Sequence, residues 1–179
     1  KYAAAKFIGE NCTGSGSLVT FNRWPLFFTN NHVCGTKGEA LIATVELQDN
    51  EDNIIQVKLE PGFYFLTHSD LDFTLVAMKR HPRMKNGKLF KPAWDVTRML
   101  KMKIPAVMPG DLVSLCQHPE GGDKHYSTGA VIKVSSGSIS YEADTFPGTS
   151  GSLVTMVANV VGIHVGRLPG KRGNYCTKI

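Results

Sequence analysis

Three polar residues of this sequence carry the side chains of acyl-transfer chemistry. Ser150 lies between Gly148 and Gly151, and a glycine-flanked turn presents a hydroxyl while aiming backbone N–H groups at one point. A serine hydroxyl becomes a nucleophile only beside a base, and His32 supplies an imidazole, which suits this task near neutral pH. A carboxylate on the second ring nitrogen would orient that base. These residue types therefore predict a nucleophile, a base and an acid that must meet in the folded chain.

Two neighbouring carboxylates compete for the role of the acid. Asp72 comes directly before the apolar run Phe73–Val76, which should be buried, whereas Asp70 follows the polar residues 67–69. We therefore expect Asp72 to hold His32 and Asp70 to lie nearer to solvent. Taken singly, each candidate also has a structural interpretation, as a hairpin-loop serine, a strand-end histidine or a solvated turn acid.

Short strands must position these groups, because Gly and Pro interrupt short apolar or alternating runs and no stretch keeps a helical period. The predicted strands are Ala4–Ile8, Gly16–Thr20, Leu26–Asn30, Glu39–Leu47, Ile54–Leu59, Phe73–Met78, Leu112–Gln117, Thr128–Val134, Gly137–Tyr141, Ser152–Met156, Val160–Val165 and Asn174–Ile179. Six strands in each half favour an all-β protein of two packed antiparallel barrels. A single β-sandwich is the alternative.

The two sets of strands define the predicted domains. Residues 1–80 form an N-terminal barrel that carries the histidine and the acid, and residues 110–179 form a C-terminal barrel that carries the serine. Residues 81–109 are basic and contain proline, and they form a linker with one short helical turn at Val96–Met102. The three groups would then converge in the cleft between the barrels.

Composition excludes some classes of protein and leaves others open. The chain has 179 residues, of which 42% are hydrophobic and 20% are charged, as in ordinary globular proteins. No apolar run approaches the roughly 20 residues of a membrane span. The net charge of +5 predicts a solvated basic face, or weak attraction to nucleic acid. The four cysteines lack Cys-x-x-Cys spacing, so we expect no zinc site, and either two disulfides or buried thiols.

The ordered motifs bear a family resemblance. Thr29–Val33, Asp72–Val76 and Gly148–Ser152, in this order, resemble the chymotrypsin-like (trypsin-fold) serine peptidases. The run Gly14-Ser-Gly-Ser-Leu-Val resembles the strand that precedes their histidine, and Gln117-His-Pro-Glu-Gly resembles a loop of bacterial glutamyl endopeptidases. The compact spacing is similar to that of viral 3C-like proteases.

The resemblance implies a fold and a mechanism. The fold is two six-stranded antiparallel β-barrels with the active site in the cleft between them. In the mechanism His32 is the general base, Asp72 orients it, and Ser150 is the nucleophile that forms an acyl-enzyme. The backbone N–H groups of Gly148 and Ser150 would form the oxyanion hole. The family chemistry needs no metal and no cofactor.

The resemblance also implies a specificity pocket. Its predicted substrate-binding residues are Thr145, His164, Val165 and Gly166. Imidazole and hydroxyl groups donate hydrogen bonds to a carboxylate or an amide, so we expect cleavage after Glu first and Gln second. Tyr141 would hold the far nitrogen of the pocket histidine, and Arg167 would add preference for acidic side chains. Alternatively, Asp144 faces the pocket and favours basic ones.

The expected partner is a peptide or protein substrate, which includes a polyprotein cut in cis or in trans. The alternative is a catalytically silent module of the same fold that binds a peptide or nucleic acid. The spacing of Cys12 and Cys34 around the histidine does not reproduce the disulfide familiar in secreted members. We therefore expect an intracellular protein rather than a secreted one, and a protease domain cut from a larger polypeptide is a further interpretation.

Overall fold

A computed structural model describes residues 4–22, 24–48, 54–79, 94–95, 106–157, 159–170 and 172–179. Its elements, in chain order, are β1 (Ala4–Ile8), β2 (Thr13–Phe21), β3 (Trp24–Thr29), α1 (Lys37–Ile42), β4 (Thr44–Gln48), β5 (Ile54–Lys58), β6 (Phe65–His68), β7 (Phe73–Ala77), β8 (Trp94–Asp95), β9 (Leu112–Gln117), β10 (His125–Val134), β11 (Ser138–Tyr141), β12 (Leu153–Met156), β13 (Asn159–Arg167) and β14 (Asn174–Lys178), with a 3-10 turn at Pro119–Gly121. The fold is therefore all-β, as the sequence predicts.

The strands of the first half form one mainly antiparallel sheet that almost closes on itself. Its order is β5-β4-β1-β2-β3-β7-β6, and the short strand β8 pairs with β2 in parallel. A single bridge between Leu59 and Met78 joins the end of β5 to the end of β7. The backbone hydrogen bonds Glu60 N to Ala77 O (2.7 Å) and Lys79 N to Lys58 O (2.8 Å) support it. The predicted six-stranded N-terminal barrel is thus an eight-stranded sheet whose ring is completed by one bridge instead of a full ladder.

The second half is a closed six-stranded barrel with the order β10-β11-β14-β13-β12-β9. Every neighbouring pair is antiparallel. Closure rules out the single β-sandwich for this half, since a sandwich keeps two separate sheets.

The buried apolar residues form three clusters, of which one joins the two halves. One fills the first sheet around Phe7, Phe27 and Leu47, and another fills the barrel around Leu115 and Tyr141. The third lies between the halves. It joins Val19, Leu26, Phe28 and Ala77 from the first half to Leu153, Val160 and Ile163 from the second. Strands β3, β7, β12 and β13 therefore pack at one interface, and the loops that follow or precede them share its edge.

Some predicted elements differ from the observed ones. Residues 39–42 of the predicted strand Glu39–Leu47 belong to helix α1, because Thr36 and Glu39 form a capping box at its N-terminus. Strand β6 is not predicted from the sequence, and β8 lies within the predicted linker. The predicted helical turn at Val96–Met102 and the basic residues 80–85 lie outside the described residues. Among the described residues, no helix has the length and apolar character to cross a membrane.

Candidate active site

His32 and Asp72 meet at the edge of the first sheet. His32 follows the end of β3, and Asp72 directly precedes β7, which pairs with β3. The ring Nδ1 of His32 lies 2.8 Å from Asp72 Oδ2, and the backbone N–H of His32 donates to Asp72 Oδ1 at 3.0 Å. Asn30 donates from Nδ2 to the backbone carbonyl of Asp72 at 2.7 Å. These contacts keep Asp72 at a positive φ of 48°, which a non-glycine residue adopts only under constraint.

The competing carboxylate points elsewhere. Asp70 is exposed, and its Oδ1 accepts a hydrogen bond from Ser69 Oγ at 3.4 Å. The Asp72 side chain is more enclosed, with 18% of it exposed, against 47% for the His32 side chain. The structure therefore brings His32 together with Asp72 and leaves Asp70 in the solvated turn.

Ser150 belongs to a tight turn, residues 147–151, which we call the oxyanion turn. Gly148 has φ of 89° and Gly151 has φ of 92°, values that glycine tolerates and other residues rarely adopt. A Cβ at Gly151 would lie 2.0 Å from the backbone oxygen of Ser15. The turn thus presses directly against β2 of the first half, and glycine is required for this approach.

The Ser150 hydroxyl donates to the backbone oxygen of Val165 at 3.0 Å. Within the described residues it makes no hydrogen bond to His32, although both residues lie at the same interface. Catalytic hydrogen bonds in unliganded enzymes are often absent or long and form when substrate binds. The structure therefore joins two of the three predicted residues directly and holds the third on a neighbouring carbonyl.

Backbone hydrogen bonds fix the orientation of two peptide planes in the oxyanion turn. Glu120 N donates to Pro147 O at 2.6 Å, and Ser152 N donates to Thr149 O at 3.1 Å. A trans peptide points its carbonyl and its N–H in opposite directions, so these bonds fix the directions of the N–H groups of Gly148 and Ser150. Among the described residues neither N–H donates to a protein acceptor. Two fixed and unpaired N–H groups are what an oxyanion hole requires.

A cavity of about 490 Å³ opens beside this turn. Its walls include Thr145, Asp144, Arg167 and Asn174. Thr145 is buried, and its hydroxyl donates to Asn174 Oδ1 at 2.6 Å, so its proton is already used. Arg167 donates from Nη2 to the backbone oxygen of Thr145 at 3.2 Å, which places a positive charge at the cavity beside the exposed carboxylate of Asp144.

His164 lies in β13, with only 2% of its surface exposed. Its Nδ1 is 2.6 Å from the hydroxyl of Tyr141, as the sequence analysis expected. Burial, with a smaller effect from the charge of His32, lowers the pKa of His164 to about 4. Burial raises the pKa of Tyr141 well above its ordinary value. Both side chains are therefore neutral near pH 7, and His164 is not among the residues that line the cavity.

The remaining predicted substrate-binding residues lie next to His164 on the same strand. The carbonyl of Val165 accepts the Ser150 hydroxyl. A side chain at Gly166 would meet nothing within 4 Å, so the backbone is open there. The pairing of β13 with β14 shifts register between His164 and Gly166. Val165, at this irregularity, has no partner residue in β14.

Sequence reasoning missed three residues that hold the site. Asn30 anchors Asp72, Asn174 orients Thr145, and Ser15 contacts the oxyanion turn from the first half. Asn30 stands two residues before the histidine, so its position was a signal, whereas Asn174 and Ser15 are distant in sequence. All four cysteines are free thiols. Within the described ranges, no group of three or more His, Cys, Asp or Glu side chains is arranged to hold a metal ion.

A closed antiparallel barrel packed on a curled sheet, with this turn at their junction, defines the chymotrypsin-like class of fold. The sequence profile of the trypsin-like peptidase domain matches residues 14–163. The chain therefore belongs to the trypsin-like peptidase family and is a serine peptidase, a hydrolase that acts on peptides or proteins.

Solved structures support the same fold at low sequence identity. An inactive mutant form of Rv3671c from M. tuberculosis H37Rv is similar with a TM-score of 0.70 and 14% identity, over 98% of this chain and 80% of that one. Deg5 is similar with a TM-score of 0.69 and 14% identity, over 98% of this chain and 83% of that one. The serine endoprotease from Yersinia pestis is similar with a TM-score of 0.68 and 13% identity, over 98% of this chain and 58% of that one. No curated protein sequence matches the chain.

Proposed function

We propose that this peptidase is an endopeptidase whose catalytic triad is His32, Asp72 and Ser150. The observation that carries the proposal is the two-point contact between His32 and Asp72, through the ring at 2.8 Å and through the backbone at 3.0 Å. A carboxylate on Nδ1 leaves Nε2 of the ring as the atom that accepts a proton. That assignment suits a general base at the edge of the cleft.

The reaction follows from these groups. Substrate displaces the Ser150 hydroxyl from Val165 O, and His32 Nε2 takes the hydroxyl proton as Ser150 Oγ attacks the scissile carbonyl. The N–H groups of Gly148 and Ser150 stabilise the negative oxygen of the tetrahedral intermediate. His32 then gives its proton to the leaving amine, which leaves an acyl-enzyme. A water molecule, deprotonated by the same ring, releases the acid and restores the serine.

For specificity we propose cleavage after Glu, with Gln second. Arg167 brings a positive charge to a cavity beside the oxyanion turn. If the Tyr141 hydroxyl donates to Nδ1 of His164, the imidazole carries its proton on Nε2 and becomes a neutral donor. A buried donor penalises substrates that cannot accept its hydrogen bond. His164 is 2% exposed and is not among the residues that line the cavity, so this role needs the side chain of the substrate to reach a buried ring.

One observation favours the alternative of a catalytically silent binding module. The Ser150 hydroxyl is paired with Val165 O instead of with His32. If that hydrogen bond persists in the presence of substrate, the cleft would hold a peptide without cutting it. The two functions differ in whether the hydroxyl leaves the carbonyl, which a covalent probe reports directly.

The test is cleavage of a peptide library varied at the residue before the scissile bond. The wild type is compared with Ser150→Ala, and reactivity with a fluorophosphonate probe is measured in parallel. Ser152→Ala is the matched control, because Ser152 lies two residues away in the same segment and its buried hydroxyl has no partner among the described residues. We expect Ser150→Ala to lower kcat on the order of 10⁶-fold and Ser152→Ala to leave it unchanged.

The outcomes separate the hypotheses. Cleavage after Glu or Gln that disappears in Ser150→Ala supports both the triad and the pocket. Cleavage after other residues, still dependent on Ser150, retains the triad and rejects the pocket assignment. A folded wild type that neither cleaves nor reacts with the probe, but binds peptides, supports the silent module.

A further inference from the structure

Ser15 contacts the oxyanion turn although it belongs to the other half of the molecule. It lies in β2 and is fully buried. Its hydroxyl donates to the backbone oxygen of Gly148 at 2.7 Å and accepts a hydrogen bond from the backbone N–H of His118 at 2.9 Å. The hydroxyl proton and one of its lone pairs are thus both used, and its orientation is fixed.

The backbone of Ser15 adds two more contacts to the same turn. Its N–H donates to the carbonyl of Ser150 at 2.9 Å. Its carbonyl accepts from the hydroxyl of Thr29 at 2.8 Å and lies so close to Gly151 that a Cβ there would be 2.0 Å away. Ser15 therefore touches the turn on both sides of the nucleophile.

The two partners of the Ser15 hydroxyl, Gly148 O and His118 N–H, are both linked to the peptide groups on either side of Gly148. His118 begins the loop that contains Glu120, and Glu120 N holds the carbonyl of Pro147, which sets the direction of the Gly148 N–H. The carbonyl of Gly148 itself is held by Ser15. The peptide planes before and after Gly148 are thus fixed, one through the loop and one directly. Gly148 has no side chain of its own to resist rotation.

We propose that Ser15 is a positioning residue that holds the oxyanion hole in its working geometry, and this rests on the proposed function. Without the hydroxyl, the carbonyl of Gly148 and the N–H of His118 lose these partners. The turn then samples orientations in which the Gly148 N–H no longer aims at the developing negative charge. The loss appears only when that charge forms, so it lowers kcat and leaves ground-state binding of the peptide unchanged.

The experiment compares Ser15→Ala with Ser17→Ala on the best peptide from the wild-type library. Ser17 is the matched control, because it lies two residues further along β2 and is also buried, at 3% exposure. We measure kcat and KM per titrated active site, and the affinity for a peptide boronic acid, whose tetrahedral adduct places an oxygen in the oxyanion hole. Removing one donor of such a hole costs about 10²- to 10³-fold in kcat.

Ser15→Ala leaves the donor present but loosely held, so we expect kcat to fall about 10-fold, with boronate affinity falling in parallel. The KM of Ser15→Ala should stay within about twofold of the wild-type KM. For Ser17→Ala, kcat, KM and boronate affinity should all stay within about twofold of the wild type. If kcat in Ser15→Ala stays within twofold, or KM rises instead, the proposal is wrong. If Ser15→Ala does not fold, the second variant is Ser15→Cys, whose side chain is somewhat larger and whose hydrogen bonds are weaker, and an unchanged kcat there overturns the proposal equally. Ser150→Ala in the same assay distinguishes failure of the Ser15 proposal from failure of the proposed function. If turnover persists in Ser150→Ala, the assignment of the triad is wrong.

Discussion

Two histidines, His32 in the first half and His164 in the second, differ in exposure and in the partner of the ring. The His32 side chain is 47% exposed and faces the carboxylate of Asp72 at 2.8 Å. His164 is 2% exposed and faces the phenol of Tyr141 at 2.6 Å. The first partner is an anion at the edge of a sheet, whereas the second is a neutral group inside a barrel.

The difference fits the two roles that we propose for these residues. A carboxylate favours the imidazolium that a general base becomes, and exposure lets the ring exchange protons with solvent. A buried phenol cannot balance a charge, so burial holds the pKa of His164 at about 4 and keeps its ring neutral. A neutral ring suits recognition of a substrate side chain.

The largest effect should come from removing the charge beside His32. In Asp72→Asn one amide oxygen must serve two donors, the backbone N–H and the ring N–H, so the ring loses its tautomer or its orientation. We expect kcat to fall about 10⁴-fold while the fold is kept. The matched control is Asp70→Asn, two residues away and exposed, which should stay within about twofold. Equal losses in the two variants would disprove the assignment of the acid.

The second prediction concerns the pH dependence of stability. The pKa of His164 is lowered from 6.5 to about 4 in the folded protein, so between these values the unfolded chain binds more protons. Stability from this group is therefore present above about pH 6.5 and is lost as pH falls towards 4, by on the order of 3 kcal/mol. Urea unfolding at a series of pH values should show a shallower decline for His164→Gln than for wild type.

The control for that series is His125→Gln, which replaces an exposed histidine and should leave the decline unchanged. His118 also has a lowered pKa, because it is buried, and it will keep part of the decline in both variants. If His164→Gln declines as steeply as the wild type, the neutral state of His164 does not contribute to folding stability.

Most strands could be predicted from the sequence because alternation and turn residues are local signals. The strands β4 and β5 show this, with every second residue buried. Helix α1 was mistaken for a strand because its residues continue directly into the apolar run of β4, although Thr36 and Glu39 mark a capping box. The near-closure of the first sheet rests on one bridge between residues 59 and 78, a long-range contact that no local pattern encodes.

The candidate site likewise combines residues that local sequence patterns indicate with residues that only long-range contacts bring together. The candidate acid Asp72 was favoured over Asp70 by the apolar run that follows it, which is a burial signal in the sequence. The link from Thr145 to Asn174 spans 29 residues, and the link from Ser15 to Gly148 spans 133. Serine and asparagine occur in many loops, so only the fold distinguishes these two from ordinary polar residues.

A smaller effect is expected from Tyr141→Phe, which removes the partner of His164. The imidazole stays neutral and buried, but either nitrogen can then carry the proton, so the donor is present only part of the time. We expect preference for Glu or Gln over Leu to fall about tenfold, since an unpaired buried polar group costs about 1 to 3 kcal/mol. The control is Tyr126→Phe, whose residue is 63% exposed on β10. Unchanged preference in Tyr141→Phe would remove His164 from the recognition of substrate.

The smallest effect should come from Arg167→Gln, because Arg167 is exposed and water and salt screen its charge. We expect the ratio of kcat/KM for Glu over Gln to fall about threefold at low salt and less at high salt. Arg172→Gln is the control at the same cavity, since Arg172 is already paired with Glu142 at 3.4 Å. A preference for Lys or Arg that persists in Arg167→Gln and disappears in Asp144→Asn would assign the pocket to the carboxylate. The neutral ring of His164 would then be a structural partner of Tyr141, and the two histidines would differ because only one of them meets substrate.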